Sequence, residues 1–269
     1  LQMLGGMNAD NIERIELIHT PPASFDAEGN AGIINIILKK TADAGLNGGY
    51  SVNAGYGRRE KYGASMNFNY RKKKVNLFGS YDYRYDKNLQ VFTNYRALQE
   101  GPNFLETESY SDRDPNLHTQ NAQLGADFQV TPKTVVGVLG TFFDRYWDMY
   151  AVNDVKYSTN RQETSRLEMI TTEVNHWNSW TGNVNLSHQF TKDKTLSVDA
   201  DYIYYHIDNP SNYDIRYTGP EQDRKLRLFK DTPIKIGVVK ADYNQNFGPK
   251  VQFEAGVKGA SSRFDNDVQ

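Results

Sequence analysis

Val75–Tyr85 reads VNLFGSYDYRY, and its alternation decides the fold. Val75, Leu77, Gly79, Tyr81, Tyr83 and Tyr85 fall on one side, and Asn76, Ser80, Asp82 and Arg84 on the other. Successive side chains of a strand point to opposite faces, so this period of two predicts a strand with one wet and one dry side. Phe78 is the single misfit.

Working outward, the same texture recurs. It appears before this stretch in LNGGYSVNAGYG (46–57) and YGASMNFNY (62–70), and after it in QLGADFQV (123–130) and TGNVNLSHQF (181–190). TLSVDADYIYY (195–205), GVVKADYNQNF (237–247) and VQFEAGVKG (251–259) complete the set. Val135–Trp147 is apolar throughout and its facing is ambiguous. Together these predict nine strands of about 9 to 14 residues, where globular strands average about 5 or 6.

The connections alternate in length. RKKK, TPKT, TKDKT and GPK are short; Asp86–Leu117, Asp148–His176 and Asp208–Pro233 are long and polar, and only RRE after the first strand breaks the rule. A meander with tight turns at one end and long loops at the other has the anatomy of an outer-membrane barrel. Aromatics cluster near the loop-side strand ends (Tyr81, Tyr83, Tyr85; Tyr146, Trp147, Tyr150; Tyr202, Tyr204, Tyr205), as in an interfacial girdle. Such a wall should turn Tyr50, Val52, Met66, Phe68, Leu77, Tyr81, Leu124, Phe128, Val184, Leu186, Val198, Tyr202, Val239, Tyr243, Phe253 and Val257 to lipid. It should turn Asn67, Asp82, Asp127, Asn185, Asp199, Asp242 and Glu254 inward. A soluble β-sheet adhesin or lectin-like sandwich is the alternative, and it would pack the apolar set between two sheets.

Composition leaves the barrel open. The mean hydropathy is −0.72, but alternate residues of a barrel face water, so hydropathy does not exclude one. With 31 Lys+Arg against 33 Asp+Glu, no charge bias points to nucleic acid. The absence of cysteine rules out a disulfide framework or a thiolate metal site. No signal peptide opens the chain, so it is either cytosolic or an internal piece of a longer chain. The strand count favours the second. Nine is odd where bacterial barrels are even, and the first forty residues need a barrel near the plugged, roughly 22-stranded size to hold them. Both ends are expected to be cut.

Those first residues contain NIERIELIHTPPASFDAEGNAGIINIILKK (11–40). Ile15–Ile18 and Ile33–Leu38 read as strands, Pro21-Pro22 ends the first, Gly29 and Gly32 permit tight turns, and Lys39-Lys40 marks a polar exit. The loop lacks the Gly-Lys-Ser/Thr of a phosphate loop, and Leu38 stands where a calcium loop needs its twelfth-position Glu. The stretch therefore reads as a structural hinge. Its IERIELI, PAS, Gly32, INI and KK elements resemble the end of the plug domain of a TonB-dependent outer-membrane receptor, of the type found in Bacteroidetes. The matching plug positions include Glu13, Arg14, Glu16, Gly29, Gly32 and Asn35.

The resemblance implies an all-β protein: the C-terminal end of a plug (residues 1–43), then about nine strands (44–269) of an antiparallel, up-and-down transmembrane barrel of some 22. It implies TonB-driven uptake of a scarce solute such as a siderophore, glycan or peptide across the Gram-negative outer membrane. Lipid and lipopolysaccharide would surround it, and a solute-binding lipoprotein is a possible partner. The family's TonB-contacting box is missing from this sequence. Solute contacts are expected from the long loops, through Tyr95, Tyr110, Tyr157, Trp177 and Tyr213 as flat faces and Arg96, Arg113, Arg161 and Arg216 as anion partners. No enzymatic constellation, cofactor or metal site is read: the histidines show no metal-ligand spacing, and Glu173-x-x-His176 lies in a loop beside tryptophans. A barrel hydrolase built on His206, Asp208 and Asp214 is the remaining alternative.

Overall fold

A computed structural model describes residues 12–18, 33–38, 44–219, 221–248 and 251–269. Among these, β1 (Ile12–Ile18) and β2 (Ile33–Leu38) form an antiparallel pair of their own, with Ile15 opposite Ile36 and Leu17 opposite Ile34. Arg14 reaches Glu13 at 2.9 Å and Glu16 at 2.8 Å. Pro21-Pro22, Gly29, Gly32 and Lys39-Lys40 lie outside the described residues.

The rest is one antiparallel sheet. Its strands are β3 (Gly45–Tyr56), β4 (Glu60–Lys72), β5 (Val75–Lys87), β6 (Gln90–Glu100), β7 (Asn103–Thr131), β8 (Thr134–Thr159) and β9 (Gln162–Thr191). They continue with β10 (Lys194–Asp208), β11 (Ser211–Thr218), β12 (Arg224–Leu228), β13 (Lys230–Asn246), β14 (Gln252–Phe264) and β15 (Asp267–Val268). Nine of them form the wall, in the order β3-β4-β5-β7-β8-β9-β10-β13-β14, and the others hang on its upper end. The nine are the nine read from the alternation. Among the described residues β3 and β14 do not pair with each other, so the sheet is open between them.

Register fixes the faces, because directly opposed residues share a side. One row runs Tyr50, Met66, Tyr81, Ala122, Phe142, Trp180 and Tyr204. The whole apolar set predicted to face lipid lies on this side, and the acid and amide set lies on the other. The apolar side is uncovered: Tyr50 is 87% exposed, Leu124 64%, Val184 54% and Val257 70%. That overturns the soluble sandwich, which needs a second sheet over these residues. On the opposite side polar groups bond one another, with Asn183 donating to Asp201 at 2.7 Å, Asn185 to Asn183 at 2.8 Å and Lys240 paired to Asp242 at 2.7 Å. Phe78 does point to this inner side, opposite Gly125. A Cβ on Gly125 would run into the Phe78 ring, so the glycine makes room for the misfit.

The long connections are a correction. β7, β8 and β9 run 29, 26 and 30 residues, so most of Asp86–Leu117 and Asp148–His176 is strand rather than loop, and β11 and β12 occupy much of Asp208–Pro233. Two-residue turns close the β6–β7 and β8–β9 hairpins. Gly101 has φ 58° between β6 and β7, and Asn160 and Arg161 have φ 51° and 67° between β8 and β9. Positive φ at both central positions, as at Asn160 and Arg161, is a hairpin turn whose twist matches its strands, and so is positive φ at a first-position glycine such as Gly101.

Facing changes along these strands. In the wall the apolar residues look outward. Above it Met149, Ala151 and Leu167, all on the inner side, are among the few buried apolar residues described.

Candidate functional site

A belt of rings divides wall from extension. Tyr62, Tyr85, His118, Tyr146 and His176 stand directly opposite one another on five neighbouring strands, all on the outer face. Ring centroids are 4.8 Å apart for Tyr62–Tyr85, 4.9 Å for Tyr85–His118 and 5.5 Å for Tyr146–His176. The Tyr83 hydroxyl lies 2.9 Å from His118 Nδ1. Amphipathic rings at one height mark a membrane–water interface. From the tight turn to this belt, Tyr62–Lys72 and Val75–Tyr85 each span eleven residues, the length of a tilted membrane strand at about 9–11. Two girdle residues read from the sequence turn the other way: Trp147 lies opposite Leu117 and Asn175, and Tyr205 opposite Ser179 and Ile234, all inner positions.

The histidines are also placed by the belt. His176 Nε2 is 2.8 Å from Asp144 and its Nδ1 3.2 Å from Asp208. His206 pairs with Asp231 at 2.9 Å, while Asp214 pairs with Lys225 at 3.3 Å. His206, Asp208 and Asp214 are therefore not brought together as one triad; each has its own partner.

Beyond the belt β7 continues for fifteen residues, Asn103–Leu117, or roughly 50 Å of strand. The residues proposed from the sequence to touch solute divide between its two faces. Arg96, Arg113, Tyr157, Trp177 and Tyr213 lie on the inner face, which continues the polar lining of the wall. Tyr95, Tyr110 and Arg216 lie on the outer face, and Arg161 sits in the β8–β9 turn. On the inner face one row runs Gln90, Arg113, Ala151, Thr171 and Tyr213. The Arg113 guanidinium sits 5.6 Å from the Phe92 ring centroid and its Nε donates to Ser111 at 3.0 Å. A second row places Arg145 beside Trp177. Phe92 and Arg145 were missed from sequence; continuing the period of two through residues 86–117 and past Phe142 finds both. The arrangement presents cations and flat rings along the inner face of the extension.

On the outer face Tyr95, Tyr110, Glu108, Asp154, Lys156 and Arg166 surround an open groove of about 500 Å³. Arg166 Nε donates to both Asp154 oxygens at 3.0 and 3.1 Å, and that hydrogen bonding raises the guanidinium pKa further. The Tyr95 hydroxyl donates to Glu106 at 2.8 Å, which raises the phenol above its ordinary value.

Residues 188–269 match the model of the outer membrane protein beta-barrel family. The matched stretch holds β10 to β15. No curated protein matches the chain. Among solved structures the chain is similar to the CymD monoaromatic hydrocarbon channel at 12% identity, over 94% of this chain and 83% of that one, with a TM-score of 0.32. That likeness is too slight to argue from. The family match and the uncovered apolar face together assign the sheet to the outer membrane.

Proposed function

We propose that these residues are the plug end and first nine wall strands of a TonB-dependent receptor that imports a scarce solute across the outer membrane. One observation carries the reading: a β-hairpin bearing the IERIELI and INI elements directly precedes an outer-membrane sheet whose two edges are unpaired among the described residues. Bare strand edges are not tolerated in lipid, so further strands must close the wall around the hairpin. Glu13, Arg14 and Glu16 then belong to the plug as a charge-paired edge and not to catalysis; the protein acts without enzymatic chemistry. TonB supplies the energy, and a solute-binding lipoprotein delivering cargo to the mouth is compatible with the tall extension.

Solute enters from the extended end and meets the inner face, so Arg96, Arg113, Tyr157, Trp177 and Tyr213 are the contacts. Deleting Phe92–Tyr110 from the full-length receptor removes β6 and its pairing partner. The expected result is loss of growth on the cognate solute with the barrel still assembled, scored by heat-modifiable electrophoretic mobility. Uptake that persists after this deletion removes the hairpin from the path. Uptake that persists in a strain lacking TonB removes the energy coupling.

A further inference from the structure

We propose that the outer-face groove of the extension binds a neutral saccharide chain. The site lies off the solute path. Tyr110 is eight residues beyond the belt residue His118 on the same strand and the same face, roughly 26 Å of strand above the interface, and it looks away from the inner face. Its occupant approaches from the side, outside the barrel.

The lining selects the chemistry. Two opposed rows form the floor: Thr93, Tyr110 and Asp154, then Tyr95, Glu108, Lys156 and Arg166. Tyr95 and Tyr110 are diagonal neighbours across β6 and β7, 58% and 47% exposed, and offer two rings on adjoining rows of one face. The charges are matched within the groove. Arg166 is held by both oxygens of Asp154, and Lys156 lies 3.9 Å from Glu108. Two carboxylates against two cations leave no net charge to attract an ion, and an anion would have to displace Asp154 from its bidentate partner. A polyhydroxylated ring asks for what remains: apolar faces to stack against, and fixed donors and acceptors at the edge. Thr93 adds a hydroxyl group. The volume falls in the roughly 300–1,000 Å³ range of small-ligand sites. All the side chains stand on paired strands, and tyrosine loses little conformational entropy on contact.

The saccharide can be free in the medium or borne by a lipid standing beside the barrel, and the experiment separates the two. The full chain in detergent micelles is titrated with maltohexaose, cellohexaose, xylohexaose and mannohexaose. It is also tested for co-sedimentation with vesicles carrying smooth or deep-rough lipopolysaccharide. Binding of one hexasaccharide identifies a free glycan; binding of smooth but not deep-rough vesicles identifies an anchored one. In either case Tyr95→Ala/Tyr110→Ala weakens binding at least about tenfold, while Val155→Ala on the inner face of β8 leaves it unchanged. Thr93→Trp, which fills the groove and keeps both tyrosines, gives the same loss and serves if the double variant assembles poorly. The proposal is overturned if no probe binds, if Val155→Ala costs as much as the groove variants, or if an anionic probe such as oligogalacturonate binds at this groove in preference to the neutral ones. These outcomes do not depend on TonB, so they stand whether or not the transport reading does.

Discussion

The lower and upper halves of β9 are one strand in two solvents. From Trp180 to Phe190 the outward Trp180, Val184 and Phe190 lie bare, the first two more than half exposed, while Asn183 and Asn185 bond inward. From Ser165 to Glu173 the order is inverted: Arg166, Glu168 and Thr172 look outward, and Leu167 and Thr171 are buried on the inner side. The backbone ladder passes from one half to the other with no change of register. What changes is the medium against the outer face, from hydrocarbon to water. A side chain's burial is set by that medium and not by the strand.

The strongest way to break this comparison is to place one charge in both halves. Val184 lies mid-wall on the outer face, and Val152 lies on the outer face of the extension, opposite Asp112 and Ile170. Val184→Arg is expected to destabilise the assembled sheet by about 2–4 kcal/mol, the midplane cost of arginine in a membrane barrel. Val152→Arg should stay within about 0.5 kcal/mol. Urea unfolding in bilayers compares them, and equal losses would mean that the belt is not the water boundary.

A smaller effect sharpens the inner side of the wall. Gly125→Val should cost about 1–3 kcal/mol by overpacking against Phe78. Adding Phe78→Ala should recover part of that, because the three atoms nearest the added Cβ all belong to this ring. An additive double variant would place the strain in the backbone instead.

The smallest effect is at the tip. Arg161 holds φ 67°, a conformation that costs side-chain-bearing residues about 1–2 kcal/mol and glycine little. After glycine's greater freedom in the unfolded chain is subtracted, Arg161→Gly should slow opening of the β8–β9 tip up to about fivefold, as read by hydrogen exchange. Slower exchange in the wall as well would show the two halves opening together.

The same inversion explains what the sequence disclosed. Alternation is visible where the two faces meet different media, so all nine wall strands, and the facing of every one but β8, were legible from residues such as Tyr50, Leu77 and Val198. Val135–Trp147 was ambiguous because Val136, Val138 and Phe142 face out while Val135, Leu139 and Phe143 face in. Above the belt both faces carry polar groups, so β6 and the upper parts of β7 to β9 read as loop. Trp147 and Tyr205 joined the girdle on proximity in sequence, though their odd positions sent them inward. The contact residues were named from loops, and a loop has no faces; only the register separates Arg113 and Tyr213 from Tyr95 and Tyr110.

The unbroken ladder between β7 and β8, from Leu105 opposite Thr159 down to Gln129 opposite Val135, has a mechanical consequence. A mouth built of flexible loops closes by swinging on hinges, and a hinge needs a few residues free to change φ and ψ. Here those residues are locked into cross-strand bonds for the full height of the tower. Any closure must bend the tower as a stiff beam rooted in the membrane, so its amplitude is small and its tip and root move as one piece. Capture at such a mouth orders little that was not already ordered, and residence there is governed by the chemistry of the lining rather than by the beat of a lid.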